Sequence, residues 1–561
     1  MTIPETIARH AAHAPERSAV VFITEDGVQQ LVTAGELHRQ AEHHARVLQT
    51  LGVEPGDLVV IALRYSWSLV ATFNGATYLG AVPSIFAYLT DKQDLAIYAQ
   101  RVAALVAASS ARVVICVPEV ARIIATLVAV GKCRVLSSAD IASIAPPDSQ
   151  ALPTRRGADE LVLVQYTSGT TGQQKGVALS HRQVLDFVDA FVASLGVTPS
   201  DVFVSWLPLN HDMGLFTGLL LPVLTGVQLV IMSPTYWIRN PVTLLQAVHD
   251  FRGTLCWMPN FAFKHCVRRI RDSELAGIDL SSWRVLTNAA EPVRRDAVES
   301  FGQRFAPSGL RRGTVRAAYG MAEIVLLATS TPGDGPPRVD WVQGSELRGQ
   351  QRAVPTQPEA AGALALVSCG RPLPGTDLAI VDESDRALPE RQIGEIALRN
   401  HYVARGYHQR PGADTQTMRD GWLYTGDIGY CADGELYICG RKSDMIIVAG
   451  SNIYPGEVET ITDSMPEVHP GRAVAFGVRD DERGTERIVL LCELHQSLTD
   501  EEIRRLDRAL RRLTLQQLDV TLGDVRFVAK DWIIKTTSGK LARRANRDKY
   551  LQIFATPSTT T

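Results

Sequence analysis

The chain has 561 residues, 45% hydrophobic and 21% charged, a globular composition too long for one ordinary core, so two or more domains are expected. A formal net charge of −3 argues against a nucleic-acid surface or a polybasic membrane patch. Eight dispersed cysteines (Cys116, Cys133, Cys256, Cys266, Cys369, Cys431, Cys439 and Cys492) form no CxxC pair and no Cys/His ligand spacing, which argues against zinc and for reduced thiols in the cytoplasm.

The first stretch, "MTIPETIARHAAHAPERSAVVF", lacks a basic region followed by an apolar core, so no signal peptide is expected. Short apolar, β-branched runs follow at 57–63, 111–116, 160–166, 227–232 and 283–289, and helical patterns such as "SHRQVLDFVDAFVASL" (180–195) lie between them. That alternation predicts α/β layering with largely parallel sheets. The most apolar run, 218–232, is interrupted by Pro222, Gly226 and Gln228 and falls short of the roughly 20 residues a membrane span requires. It predicts helix, turn and buried strand, and no membrane span.

Residues 330–363 are rich in Pro, Gly and Gln and show little periodicity, the mark of a functional or disordered segment within a compact domain. From about residue 420 the pattern turns to hairpins, with Asp433-Gly434 as a strong turn signal. Thr499 and Glu502 stand at capping-box spacing ahead of a helix whose stripe is Ile503, Leu506, Leu510 and Leu513. Residues 443–561 thus read as a small α+β domain with its own core, after a large N-terminal domain of layered sheets and helices over 1–442.

"YTSGTTGQQKGV" (166–177) follows a strand and precedes a helix. Glycines at 169, 172 and 176 allow close backbone approach to a ligand, and the hydroxyls of Thr167, Ser168, Thr170 and Thr171 with backbone N–H groups suit a polyanion. Lys175 adds a point charge against phosphate. No Walker motif can be drawn through the stretch, and a plain surface loop is its competing explanation.

Further motifs occur in order: "SWLPLNHDMGL" (205–215), "MPNFAFKHCVRRI" (258–270), "SSWRVLTNAAEPV" (281–293), "AAYGMAEIVLLATS" (317–330), "VSCGRPLPG" (367–375), "WLYTGDIGY" (422–430), "GRKSDMIIVAGSNIYPGEVE" (440–459) and "IIKTTSGKLARRA" (533–545). Together they resemble the adenylate-forming superfamily along nearly the whole chain. "PNFAFKHCVRRI" and "VSCGRP" resemble the fatty acyl-AMP ligases within it.

The resemblance implies a small C-terminal lid joined to the large domain near 442–444, with Ser443 at the hinge. It implies that a carboxylic acid attacks ATP-Mg to give an acyl-adenylate, and that the phosphopantetheine thiol of an acyl carrier protein then takes the acyl group. Matched residue by residue, it gives Thr167, Ser168, Gly169, Thr170, Thr171, Gly172 and Lys175 to the pyrophosphate side and Glu323 to Mg2+. Tyr319 is expected to stack on adenine, with Ala290, Glu291 and Pro292 along its edge and Ala318, Gly320 and Met321 in the same wall. Asp427 is expected to bind the ribose, assisted by Arg441. Lys540 is expected to reach over the carboxylate and α-phosphate, where charge gathers in the transition state. Asn210, His211, Met213 and Ala289 are expected at the acyl pocket, with His211 at its gate. The segment 330–363 matches an insertion thought to restrain the lid and disfavour coenzyme A.

Each residue taken singly has a plain alternative. Lys540 is then a tail lysine, His211 a core histidine, Asp427 a turn residue and Glu323 a surface helix carboxylate. The sequence also departs from the family pattern. Asn210 replaces an aromatic residue, Ala289-Ala290 replaces Gly-Ala, "GSNIYPGE" is nearer the wider superfamily, and Ser443 replaces a hinge Lys or Asp. An acyl-CoA synthetase sharing the first step, or a non-catalytic nucleotide- or acyl-binding relative, are the alternative functions.

Overall fold

The structure is a computed structural model that describes residues 1–90, 93–128, 133–146, 151–152, 157–166, 175–333, 335–409, 417–448, 451–480, 485–536 and 539–554. Its centre is a nine-stranded sheet. Strands Val315–Tyr319, Val285–Asn288, Leu255–Met258, Val202–Ser205, Gln228–Met232 and Ser18–Ile23 lie side by side in that spatial order, and all run parallel. Short antiparallel strands finish both edges. The strands are near-continuous apolar runs because helices cover both faces, as a buried parallel sheet requires. A second, four-stranded parallel sheet contains Leu58–Ala62 and Val113–Cys116.

The helix expected over 180–195 spans His181–Leu195, capped by Ser180 and closed by Gly196 in the left-handed region. The apolar run 218–232 is a π-helical turn, a helical turn and the buried strand Gln228–Met232. Among the described residues no helix is long and apolar enough to cross a membrane. All eight cysteines are free thiols.

The change to antiparallel structure comes earlier than residue 420. A five-stranded antiparallel sheet already includes Asp377–Val381 and Gly394–Arg399 before it reaches Trp422–Ala432 and Glu435–Arg441. Several positions in those first two strands are only half-buried, so they lack the unbroken apolar signature of the parallel strands. Asp433 and Gly434 both take positive φ at the tip of the last hairpin.

The segment 330–363 is ordered where it is described, and not irregular throughout. Strand Val339–Gln343 pairs antiparallel with Ala363–Val367, and helix Gly344–Gly349 fills the connection. Beyond Ile446 the chain packs around its own core of Ile446, Val458, Leu490, Leu506 and Leu510. This part combines a three-stranded sheet, a short hairpin and helices Pro455–Thr462, Asp500–Leu518 and Arg543–Phe554. Thr499 and Glu502 cap the second helix reciprocally.

Candidate active site

The carboxyl ends of the parallel strands all open on one edge of the central sheet, the edge where open α/β sheets bind ligands. Tyr319 ends the first strand, Ala289 follows the second, Phe261 lies just past the third and Trp206 follows the fourth. The sheet therefore gathers motifs that lie more than a hundred residues apart in sequence.

Tyr319 donates its hydroxyl hydrogen to Asp427 Oδ2 at 2.7 Å, and Arg441 Nε donates to Asp427 Oδ1 at 2.8 Å. Asp427 and Arg441 are cross-strand partners in the last antiparallel hairpin, which fixes the pair. Burial pushes the Tyr319 hydroxyl well above its ordinary range, reinforced by the Asp427 charge, so it stays a donor. The Asp427 charge likewise raises Arg441.

Beside this group, Glu323 sits in a single 3-10 turn after Met321. Its Oε1 accepts the Tyr407 hydroxyl at 2.9 Å, and its backbone carbonyl accepts Ala404 N–H at 2.7 Å. Burial raises the Glu323 carboxyl, against the pull of that hydroxyl. Lys175 Nζ lies 4.7 Å over the Tyr407 ring. The six neighbouring loop positions Thr167, Ser168, Gly169, Thr170, Thr171 and Gly172 lie outside the described residues.

Ala290 adopts φ +72°, a conformation that is strained for any residue with a Cβ. Glu291 follows, its Oε1 accepting Phe261 N–H at 2.7 Å, while Pro292 is exposed. Ala318 is buried, and Met321 is half-buried. Gly320 tolerates no side chain, because a Cβ there would stand 1.8 Å from the Leu326 carbonyl oxygen.

On the acid side, His211 Nδ1 lies 2.6 Å from Asp212 Oδ1, and both cap the short helix Asp212–Leu215 through Met213 N–H. Asn210 accepts at its carbonyl from Gln165 Nε2 at 2.8 Å, near the end of strand Leu161–Tyr166. Met213 and Ala289 are buried. Burial would raise the Asp212 carboxyl, but the charges of His211 and Lys540 hold it at about 2. Burial also raises Glu291, opposed by Lys535 and Lys540. Lys540 is exposed, yet its charge acts on two carboxyls at the strand ends of the central sheet. The charge of Lys540, carried by the C-terminal part, is thus felt by Asp212 and Glu291 at the strand-end edge.

The family model for AMP-binding enzymes matches residues 7–408. The chain belongs to that family. Among curated relatives of this AMP-binding enzyme is the medium-chain-fatty-acid–[acyl-carrier-protein] ligase JamA of Moorena producens, 34% identical over 70% of this chain and 68% of the relative. Another is the 4-hydroxyphenylalkanoate adenylyltransferase of Mycobacterium tuberculosis, 31% identical over 98% and 92%. The long-chain-fatty-acid–AMP ligase FadD26 of Mycobacterium marinum is 30% identical over 98% and 97%. A solved structure from a study of fatty acyl-adenylate ligases from E. coli and L. pneumophila superposes with a TM-score of 0.91 at 28% identity, covering 99% of this chain and 98% of that one. The α/β architecture and the fatty acyl-AMP ligase resemblance both accord with these similarities.

Two parts of this AMP-binding enzyme meet at the junction. Lys442 Nζ reaches Glu395 of the antiparallel sheet at 3.2 Å, and Asp444 pairs with Arg543 of the C-terminal part at 3.1 Å. Ser443 stands between them, its hydroxyl donating to its neighbour Asp444 at 3.2 Å. Elsewhere Asp463 of the C-terminal part is held by Arg294 at 2.7 Å and Lys264 at 3.2 Å.

The ordered segment 330–363 bridges both parts. Asp340 accepts from Tyr430 of the antiparallel sheet at 2.7 Å and from Arg391 at 2.9 Å. Arg348 reaches the other way, to Glu457 Oε2 at 3.3 Å and the Leu518 carbonyl at 2.7 Å. Arg348 is only 5% exposed, and burial pushes the Glu457 carboxyl up to about 7 despite this partner.

Tyr407 and Arg348 escape a reading of sequence motifs, and Asp212 is given no role by it. Asp212 lies within a motif, beside the expected gate residue. Tyr407 and Arg348 occupy no recognisable spacing. Tyr407 is brought in by bridging to strand Gly176–Ser180 through Val177.

Proposed function

We propose that the protein uses ATP to activate a fatty or related carboxylic acid and then loads the acyl group onto an acyl carrier protein. In the first half-reaction a carboxylate oxygen bonds to the α-phosphorus and the bond to pyrophosphate breaks. In the second, the phosphopantetheine sulfur bonds to the acyl carbon and AMP departs with the electrons of the broken C–O bond. Homologues named as AMP ligases and as an acyl-carrier-protein ligase support both halves.

Asp427 binds the ribose hydroxyls, with its charge and orientation maintained by Tyr319 and Arg441. The Tyr319 ring and the backbone of Ala290, Glu291 and Pro292 border the adenine, with Ala318, Gly320 and Met321 in the adjoining wall. Lys175 and the loop 167–172 steady the departing pyrophosphate. Lys540 neutralises the oxygens crowded around the attacked phosphorus, and His211 with Asn210, Met213 and Ala289 borders the acid. Ser443 absorbs the backbone rotation between the two half-reactions.

Among the described residues no cluster of three or more His, Cys, Asp or Glu is arranged for a metal ion. A single half-buried carboxylate, Glu323, fits magnesium, which usually takes one or two carboxylates and completes its shell with phosphates and water. When bound, the ion would supply Lewis-acid stabilisation of phosphate charge. Eight free cysteines accord with a cytoplasmic setting. Carrier protein is favoured over free coenzyme A because Arg348 ties the 330–363 segment to the C-terminal part.

One arrangement carries the activation chemistry: Asp427 is held by Tyr319 at 2.7 Å and Arg441 at 2.8 Å beside Glu323, and the C-terminal part that bears Lys540 is tied to the same edge by Asp463 on Arg294 at 2.7 Å, three residues past Glu291. Lys540→Ala should lower acid-dependent pyrophosphate release about a hundredfold or more while ATP binding by calorimetry persists. Undiminished release would refute the assignment.

A further inference from the structure

The acid side of the edge ends in a cluster of aromatic rings. Trp206 follows strand Val202–Ser205, and Trp237 sits on helix Pro234–Arg239, just past strand Gln228–Met232. Their indoles stack with centroids 3.6 Å apart and planes 11° from parallel. Phe261, at the start of helix Asn260–Arg269, meets both edge-on at 6.2 and 6.4 Å. His265 of the same helix tilts against Trp237 at 5.3 Å, and its Nε2 bonds the Ile238 carbonyl at 3.0 Å. That bond ties the two helices together behind the rings.

Strand order gives the cluster its place. Tyr319 and Ala290 leave the first two strands of the parallel series, whereas Phe261, Trp206 and Trp237 leave the next three. Glu291, under the charge of Lys540, accepts the Phe261 backbone N–H, so the rings begin where the carboxylate chemistry ends. Trp206 shares its loop with Asn210 and His211. Phe261 is 42% exposed, while Trp206 and Trp237 are 2% and 0% exposed. The open face of the cluster is therefore Phe261, backed by two closely stacked indoles.

We infer that Trp206, Trp237 and Phe261 form the end wall of the acid subsite and restrict the protein to carboxylic acids of short to medium length. This presupposes the acyl activation proposed above and adds the substrate class. An acid joined to the α-phosphorus near Lys540 extends its tail away from the adenine side, toward these rings. A longer tail must force apart two buried indoles that are already stacked on one another. Each methylene beyond the limit then costs about tenfold or more in kcat/KM.

The test is pyrophosphate release by the full chain with unbranched acids of graded length, in the parent, Trp237→Leu and Phe261→Ala, with thermal melting alongside. The parent should show a length limit. Trp237→Leu should raise the ratio of kcat/KM for the longer acid over the shorter about tenfold, with the KM for ATP unchanged. Phe261→Ala, altering a half-exposed ring, should shift the profile the same way, and it decides the matter if Trp237→Leu fails to fold. A parent that turns over long acids as well as short ones would overturn the inference, as would a folded Phe261→Ala with the parent's profile. A parent that releases no pyrophosphate with any acid would instead overturn the activation function itself, and the wall with it.

Discussion

The Tyr407 hydroxyl donates to Glu323 Oε1 at 2.9 Å, and the face of the same ring carries Lys175 at 4.7 Å. One side chain therefore orders both an expected magnesium ligand and an expected phosphate-binding cation. Its segment is held by His408 N–H, which donates to the Gly176 carbonyl at 2.7 Å.

Tyr407→Phe keeps the ring under Lys175 and removes only the donor to Glu323. A hydrogen bond to a charged group contributes about 1.5–3 kcal/mol, so adenylation should fall about tenfold or more. Pyrophosphate release across a magnesium titration measures it. The loss should be largest at low magnesium, and identical curves would remove Tyr407 from the site.

Arg348→Met preserves length and apolar packing but leaves Glu457 buried without its cation. Removing one partner of a buried pair costs about 3 kcal/mol, here taken from the docking of the C-terminal part on the bridging segment. Acyl-CoA formation from free coenzyme A should rise relative to carrier-protein loading, in a direct competition assay. Deleting 330–363 should do the same more strongly. Unchanged partitioning in both would make the segment a structural appendage.

The Glu457 carboxyl also sets a pH dependence. Its pKa stands at about 7 against an ordinary 4.5, so the folded chain holds this proton more tightly than the unfolded chain. Stability from this group is complete below the unfolded value and is lost as pH rises through the folded one, by about 3 kcal/mol in all. Glu457→Gln should abolish that decline. Melting temperatures of parent and variant between about pH 5 and pH 8 should therefore converge at the acid end or favour the parent, and diverge toward the variant at the alkaline end. Parallel curves would contradict the burial of this carboxyl.

Ala290 holds φ +72° beside the expected adenine edge. Glycine relieves about 1 kcal/mol of strain there, offset in part by its freer unfolded chain, so Ala290→Gly should melt no lower than the parent. Ala290→Val, β-branched at positive φ, should lose about 2 kcal/mol and raise the KM for ATP. Calorimetric melting and ATP titration of pyrophosphate release separate the two variants.

The parallel strands were legible because burial on both faces leaves unbroken apolar runs, as in Gln228–Met232. The Asp433-Gly434 turn was legible because positive φ selects its residues. Strands Asp377–Val381 and Ala363–Val367 were not, since both are short runs with most positions half-buried or exposed, and each is fixed by an antiparallel partner some twenty residues away in sequence. The order within 330–363 was hidden for a related reason. Val342 and Leu347 pack with Tyr430, Tyr437 and Tyr454, which lie about ninety residues or more downstream, so no local window contains their reason for folding. The lysine, carboxylate and tyrosine of the motifs were visible as residue types in context. Their supports, Tyr407 for Glu323 and Arg348 for the C-terminal part, come from long-range pairing that leaves no spacing behind.

Arg348 grips Leu518 by its main-chain oxygen, not by its side chain. Any amino acid at position 518 would present that same atom, so the bond itself does not depend on the Leu518 side chain, which serves the buried core instead. A protein engineer could rewrite the exposed surface of helix Asp500–Leu518 to suit a new carrier without loosening the strap beneath it.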